Sequence, residues 1–304
     1  MDGYLTFLAV LWGAAAGGLA WYAAGVAQQI TYVTLADGRH QERKLPLLFR
    51  LMLPLTPNVV PLFNRPAFQS MKENTDSRLT SAGFEGLLTG AEFLALKVIL
   101  PLVLCWPWFA FCKTAIAVAP HTFLARIAWL MYLLGPLWLF FYADMWLKRA
   151  LNLRHLGIQR ALPFVLDLLT LSVEAGMDFM TALQRHVERR NLTALDEELI
   201  RVIREIQIGK TRREALRAMS RRVNLGDLRS VVNALVQADE LGVSIGAILR
   251  IQADQMRQRR FERAEKLANE APVKMLGPLL FFIFPAVFII LLGPIINRLL
   301  EQGF

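Results

Sequence analysis

The stretch MLGPLLFFIFPAVFIILLGPII, Met275–Ile296, runs for 22 residues without a charge. At about 1.5 Å of rise per residue it matches the roughly 30 Å hydrocarbon core of a bilayer. The block before it, 144–274, holds 23 Lys and Arg and 17 Asp and Glu. That block is too charged and too long to be embedded in lipid. The chain therefore reads as an integral membrane protein with a sizeable water-facing domain.

Three further apolar segments lie upstream. Tyr4–Ala27 is uncharged and rich in Gly and Ala. It lacks a basic n-region and is too long for a signal-peptide core, so it reads as a retained span. Within it Gly13 and Gly17, and Ala14 and Gly18, form overlapping small-xxx-small pairs. Such pairs let another helix approach closely, and a generically small-residue span has the same look. Phe93–Cys112 carries one interior charge, Lys97, near an end from which it can snorkel. Thr122–Ala143 has Arg126 near its start and stops at Asp144. Cys105 and Cys112 read as small apolar residues in lipid.

Charge sets the orientation. Segment 28–92 has 7 Lys and Arg and segment 144–274 has 23, so 30 of the 34 basic residues share one side. Lys148, Arg149, Arg154 and Lys274, close to span ends, place that side in the cytoplasm and both termini outside. The net charge of +9 then needs no nucleic acid, and the basic block lacks interleaved aromatics. Lys44–Phe63 is apolar but broken by Pro46, Pro54, Pro57 and Pro61. It suits a short segment lying on the membrane surface.

Between 155 and 270 apolar residues recur at three- and four-residue steps, as in Leu162, Val165, Leu166, Leu169 and Val173. Breaks are predicted at Gly157, Gly176, Asn191–Thr193, Gly209, Asn224–Gly226 and Gly242. About six helices joined by short turns imply an antiparallel bundle. Thr211-Arg-Arg-Glu214 has capping-box spacing, and Asp178 and Ser244 are candidate N-caps.

A weak internal repeat relates Glu174-Ala-Gly176-Met-Asp178 to Glu240-Leu-Gly242-Val-Ser244, 66 residues on. Gly at C′ followed by a capping side chain is the chemistry of a tight helix–turn–helix. The two glutamates are not explained by it, since a carboxylate in the last turn opposes the helix dipole. They are either paired or partner-facing, or simply solvated. The following helix, Gln255–Glu270, carries Arg257, Arg259, Arg260 and Arg263 among acids and feeds the last span. It reads as a juxtamembrane helix drawn to anionic headgroups, a rigid stalk, or both.

Catalytic patterns are missing. Gly209-Lys210-Thr211 ends like a phosphate-binding loop, but Arg204 stands where the first glycine belongs and a helix precedes it. The four histidines are scattered, with no metal-ligand spacing. Acids are absent from the span interiors, which weighs against an ion pathway. The sequence thus predicts a non-enzymatic protein with no cofactor and no metal.

Residues Ala161–Pro294 resemble the F domain of type II secretion and type IV pilus inner-membrane platform proteins. The resemblance is carried by LPFVLDLLTLSVEAGMDFMTAL, IGKTRREALRAMSRR, LVQADELGVSIGAILRIQADQMRQRR and APVKMLGPLLFFIFPAVFIILLGP. The single copy, and the prolines of the last segment, look most like the TadC-type protein of the Tad (tight adherence) pilus system. The resemblance implies an oligomeric bacterial inner-membrane platform that couples a hexameric cytoplasmic ATPase to pilin extraction, alongside a TadB-type partner. On that reading the candidate partner interface comprises Glu174, Gly176, Asp178, Glu240, Gly242, Arg257, Arg259, Arg260 and Arg263. The candidate helix-packing positions in the membrane are Gly13, Gly17, Gly18, Pro278, Pro285 and Pro294.

The expected fold is an all-α integral membrane protein. It has a span in 1–27, a cytoplasmic loop in 28–92 and two spans in 93–143. A cytoplasmic bundle of about six helices in 144–274 and a fourth span with a short tail in 275–304 complete it. The alternative is a transporter or channel subunit with a cytoplasmic regulatory helical domain.

Overall fold

The structure, a computed structural model, describes residues 32–34, 40–42, 45–118, 128–188 and 192–301. The predicted first span, with Gly13, Gly17 and Gly18, lies outside the described residues. Among the described residues the regular structure is helical apart from one short antiparallel pair, β1 (Tyr32–Thr34) with β2 (His40–Glu42).

The proline-broken segment after β2 folds into α1 (Leu47–Met52), a 3-10 stretch Leu53–Asn58 and α2 (Val60–Phe63). Prolines at the start of each piece have no N–H to lose there, so they open turns of helix without breaking them. Leu45, Phe49, Met52 and Phe63 are buried, while Leu47, Leu55 and Leu62 point outward. Next come α3 (Gln69–Ala82) and α4 (Gly90–Val118). The 47-residue α5 (Ala128–Glu174) follows.

These elements share one apolar core centred on Phe49, whose ring meets Phe93, Tyr142 and Trp146 edge-on at centroid distances of 6.2, 6.2 and 4.9 Å. That core reaches Leu100 on α4 and Ala143–Leu147 on α5. Beyond Leu100 and before Ala143 the two helices expose Leu102, Trp106, Leu134, Trp138 and Phe141, as a lipid-facing hairpin does. Lys97 closes its lower end by pairing with Asp144 at 2.5 Å, its ammonium 4.4 Å from the Phe140 ring centre. Lys97 thus has a counter-ion within the hairpin and does not depend on snorkelling.

The rest of the chain builds a second core from the end of α5, α6 (Phe179–Val187), α7 (Ala194–Gln207), α8 (Arg212–Val223), α9 (Gly226–Leu241) and the start of α10 (Ile245–Pro278). The break predicted at Gly157 is absent. α5 runs through Gly157 and Pro163 because Ile158, Leu162, Val165 and Leu166 keep one face buried across both. The boundary expected at 143/144 accordingly falls inside one helix.

The turns predicted at Gly176, Gly209, Asn224–Gly226 and Gly242 are present, while Asn191 lies outside the described residues. Gly176 (φ +91°) and Gly242 (φ +66°) take the left-handed conformation that side chains resist. Met177 N–H bonds back to Ser172 C=O and Val243 N–H to Ala238 C=O, closing a six-residue C-cap at each. Asn224 holds the same conformation between α8 and α9.

After α10 a five-residue π-helical turn, Leu279–Ile283, leads into α11 (Phe284–Glu301). Pro278 and Pro285 bracket it, and a wider turn accommodates a ring that cannot donate to the ladder. From Phe261 to Ile295 nearly every described side chain is exposed, Pro278, Pro285 and Pro294 among them. This helix leaves the bundle without packing on the α4–α5 hairpin. Among the described residues two helical segments are long and apolar enough to cross a membrane, Leu134–Glu174 and Ile245–Ile295.

Candidate functional site

The two copies of the repeat meet at the end of the bundle farthest from the hairpin. Asp178 caps α6 by accepting from Met180 N–H, whereas Ser244 occupies the N-cap of α10 without a side-chain bond. Arg212 of α8 lies between the copies, 4.0 Å from Asp178 and 3.8 Å from Asp239, with its guanidinium 5.6 Å from the Phe179 ring centre. Both unexplained glutamates have arginine partners. Glu174 accepts from Arg250 at 2.8 Å and Glu240 from Arg217 at 2.6 Å. Each last-turn carboxylate thus gains a cation that offsets the helix dipole.

Around these pairs the surface stays partly apolar. Ile208, Leu241 and Val243 stand exposed in the turns α7–α8 and α9–α10. Thr211 and Glu214 cap α8 reciprocally, and Thr211 N–H holds the Glu214 carboxyl below the usual range. The spacing in the sequence predicted this box.

The arginines of α10 are tied down unevenly. Arg257 pairs with Asp254 and with Asp167 of α5, and the Asp254 bond raises its pKa. Arg259 and Arg263 both hold Asp227 at the start of α9. Arg260 has no ion-pair partner among the described residues. It lines a groove of about 380 Å³ with Arg160, Pro163 and Met256 where α10 separates from α5.

A charged layer that sequence reading missed separates the two apolar cores. Arg154, on α5 between Leu147 and Ile158, reaches Glu197 at 3.0 Å and Glu198 at 2.9 Å. Arg222 of α8 reaches Glu198 at 3.2 Å and Glu205 at 2.6 Å. All five side chains are largely buried. At the rim Arg201 grips Glu85 at 2.5 and 3.1 Å, which lowers the Glu85 pKa and raises that of Arg201. Ser81 donates to Arg222 C=O, and His155 meets Val223 C=O at 2.8 Å. A further buried pair, His186 with Asp196 at 2.9 Å, joins α6 to the capping box of α7.

Among the described residues no three His, Cys, Asp or Glu are grouped to hold a metal. Charged turns and exposed apolar residues lie at one end of the bundle, and helices lead from the other toward apolar segments. Residues 165–293 match the family model for type II secretion system (T2SS) protein F. The F-domain match covers less than half of the chain and runs from inside α5 to residue 293, three residues short of the end of the apolar C-terminal run. It takes in α6–α9, both repeat copies and every candidate interface residue. Arg154 and Glu85 lie outside it. No curated protein and no solved structure matches the chain significantly.

Proposed function

We propose that this chain is an inner-membrane platform protein of a Tad-type pilus or a related secretion system. It has no catalytic activity of its own and couples a hexameric cytoplasmic ATPase to pilin extraction. Four spans, both termini in the periplasm and a six-helix cytoplasmic bundle complete the reading. A TadB-type protein and pilin subunits are its partners.

One observation carries it. α5 passes without a break, and α10 through a single π turn into α11, from the F-domain bundle into an apolar segment of membrane-crossing length. A displacement of the bundle is thereby carried into the bilayer along stiff rods. The charged turns after Gly176 and Gly242, tied by Arg212, form the end that faces the ATPase.

Deleting the gene tests the reading, with surface pili counted by electron microscopy and total pilin followed by immunoblot. Bald cells that still hold processed pilin support the platform. Normal pili with no compensating paralogue overturn it.

A further inference from the structure

The outward face of α5 below the hairpin is the part of the bundle whose composition least fits water. Leu153, Leu156, Phe164 and Leu171 are 44–65% exposed. Steps of three, eight and seven residues keep them on one side of the helix. Arg160 lies on the same stripe, and Asp167 there is engaged by Arg257 at 3.3 Å. Beside the stripe the groove at the α5–α10 divergence adds Met256, Arg260 and Arg263, with Asp227 there already held by Arg259 and Arg263. Neither Arg160 nor Arg260 has an ion-pair partner among the described residues, so the face is apolar with unpaired positive charge.

We propose that this face docks an acidic amphipathic helix of a partner protein. Four exposed large apolar side chains at helical spacing mark an interaction surface. With the bilayer edge at Asp144, as the cytoplasmic placement of 144–274 requires, lipid does not reach them. Leu153 is nine residues past Asp144 and Leu171 is 27, about 14 and 40 Å along the axis, whereas headgroups extend only about 5–8 Å beyond the hydrocarbon core. A second copy of the chain meeting this one α5 on α5 is the wrong match. Parallel α5 helices would set Arg160 against Arg160, and like charges in contact are repulsive. The fitting occupant presents apolar anchors two turns apart, to fill the gaps beside Phe164 and Leu171. It also presents a carboxylate that meets Arg160 and Arg260. The proposal rests on the cytoplasmic placement of 144–274 and not on the pilus role.

The test is photocrosslinking of the full chain in its native membrane, with benzoylphenylalanine in turn at Leu153, Phe164 and Leu171, and at Thr181 on α6 as control. The expected result is a light-dependent adduct from the three α5 positions and none from Thr181. Its crosslinked peptide, read by mass spectrometry, carries Asp or Glu between apolar residues at helical spacing. Arg160→Glu should cut the adduct at least tenfold, while Arg160→Lys retains it. Adducts within the chain, to a second copy or to lipid overturn the proposal. So do the absence of any adduct and an adduct indifferent to Arg160→Glu. Bald deletion cells without an adduct would remove the docking face alone. Normal pili with an adduct would remove the platform reading alone.

Discussion

Arg154 of α5 meets Glu198 of α7 at 2.9 Å, with both side chains more than nine-tenths buried. The pair sits between the two apolar cores, so charge joins the bundle to the module around Phe49 in addition to α5 and the contact of α3 with α8. Removing one member of a buried pair leaves an uncompensated charge, at a cost of about 3–5 kcal/mol. Arg154→Ala should therefore lower the unfolding midpoint of the detergent-solubilised protein far more than Arg229→Ala on the exposed face of α9. Equal midpoints for the two variants would show the buried layer to be dispensable.

The rim of the same layer is pH-sensitive. Glu85 has its pKa lowered by the hydrogen bond from Arg201, so the contact contributes above the ordinary carboxylate pKa, about 4.3. It is lost as pH falls through the lower, folded value. Both groups are partly exposed, so the contribution is about 0.2–1 kcal/mol at neutral pH. Glu85→Gln should reduce stability by that amount at pH 7 and by progressively less below pH 4. A constant difference across the range would count against the bond.

Asp178 and Ser244 occupy equivalent places in the repeat but are bonded differently. Asp178→Ala removes a cap worth about 1 kcal/mol. Ser244→Ala removes no side-chain bond and should be close to neutral. Amide hydrogen exchange in the first turns of α6 and α10 reads the contrast, with faster exchange expected in α6 only.

In the hairpin, a Cβ at Gly135 would lie 2.2 Å from Nε1 of Trp108. Gly135→Leu should force α4 and α5 apart at a cost of about 1–3 kcal/mol. Adding Trp108→Ala should restore much of the loss, a coupling that thermal melts of the two single variants and the double variant measure directly.

The turns of the bundle were legible because their chemistry is local. Gly176, Gly209 and Gly242 mark left-handed C-caps, and Thr211 with Glu214 marks a helix start within four residues. Gly157 misled because a glycine in a helix costs only about 1 kcal/mol, which the buried face around Ile158 outweighs. The charged layer left no local trace. Arg154 and Glu198 are 44 residues apart and Glu85 and Arg201 are 116, so only the packing of α5, α7 and α8 reveals them. Glu174 and Glu240 were conspicuous as misplaced carboxylates, yet their partners Arg250 and Arg217 gave no signal at all.

From Ile245 to Glu301 the backbone is one spiral, interrupted only by the π turn, and about 85 Å long. Such a rod fixes azimuth as well as length. Each residue turns the helix by about 100°, so the side of the apolar run that faces a given neighbour is counted out from Ser244. A one-residue insertion between Phe261 and Lys274 would swing that side through more than a quarter turn, while seven residues would bring it back almost into phase. The azimuth of the apolar run relative to the bundle is thus written in the number of residues between them.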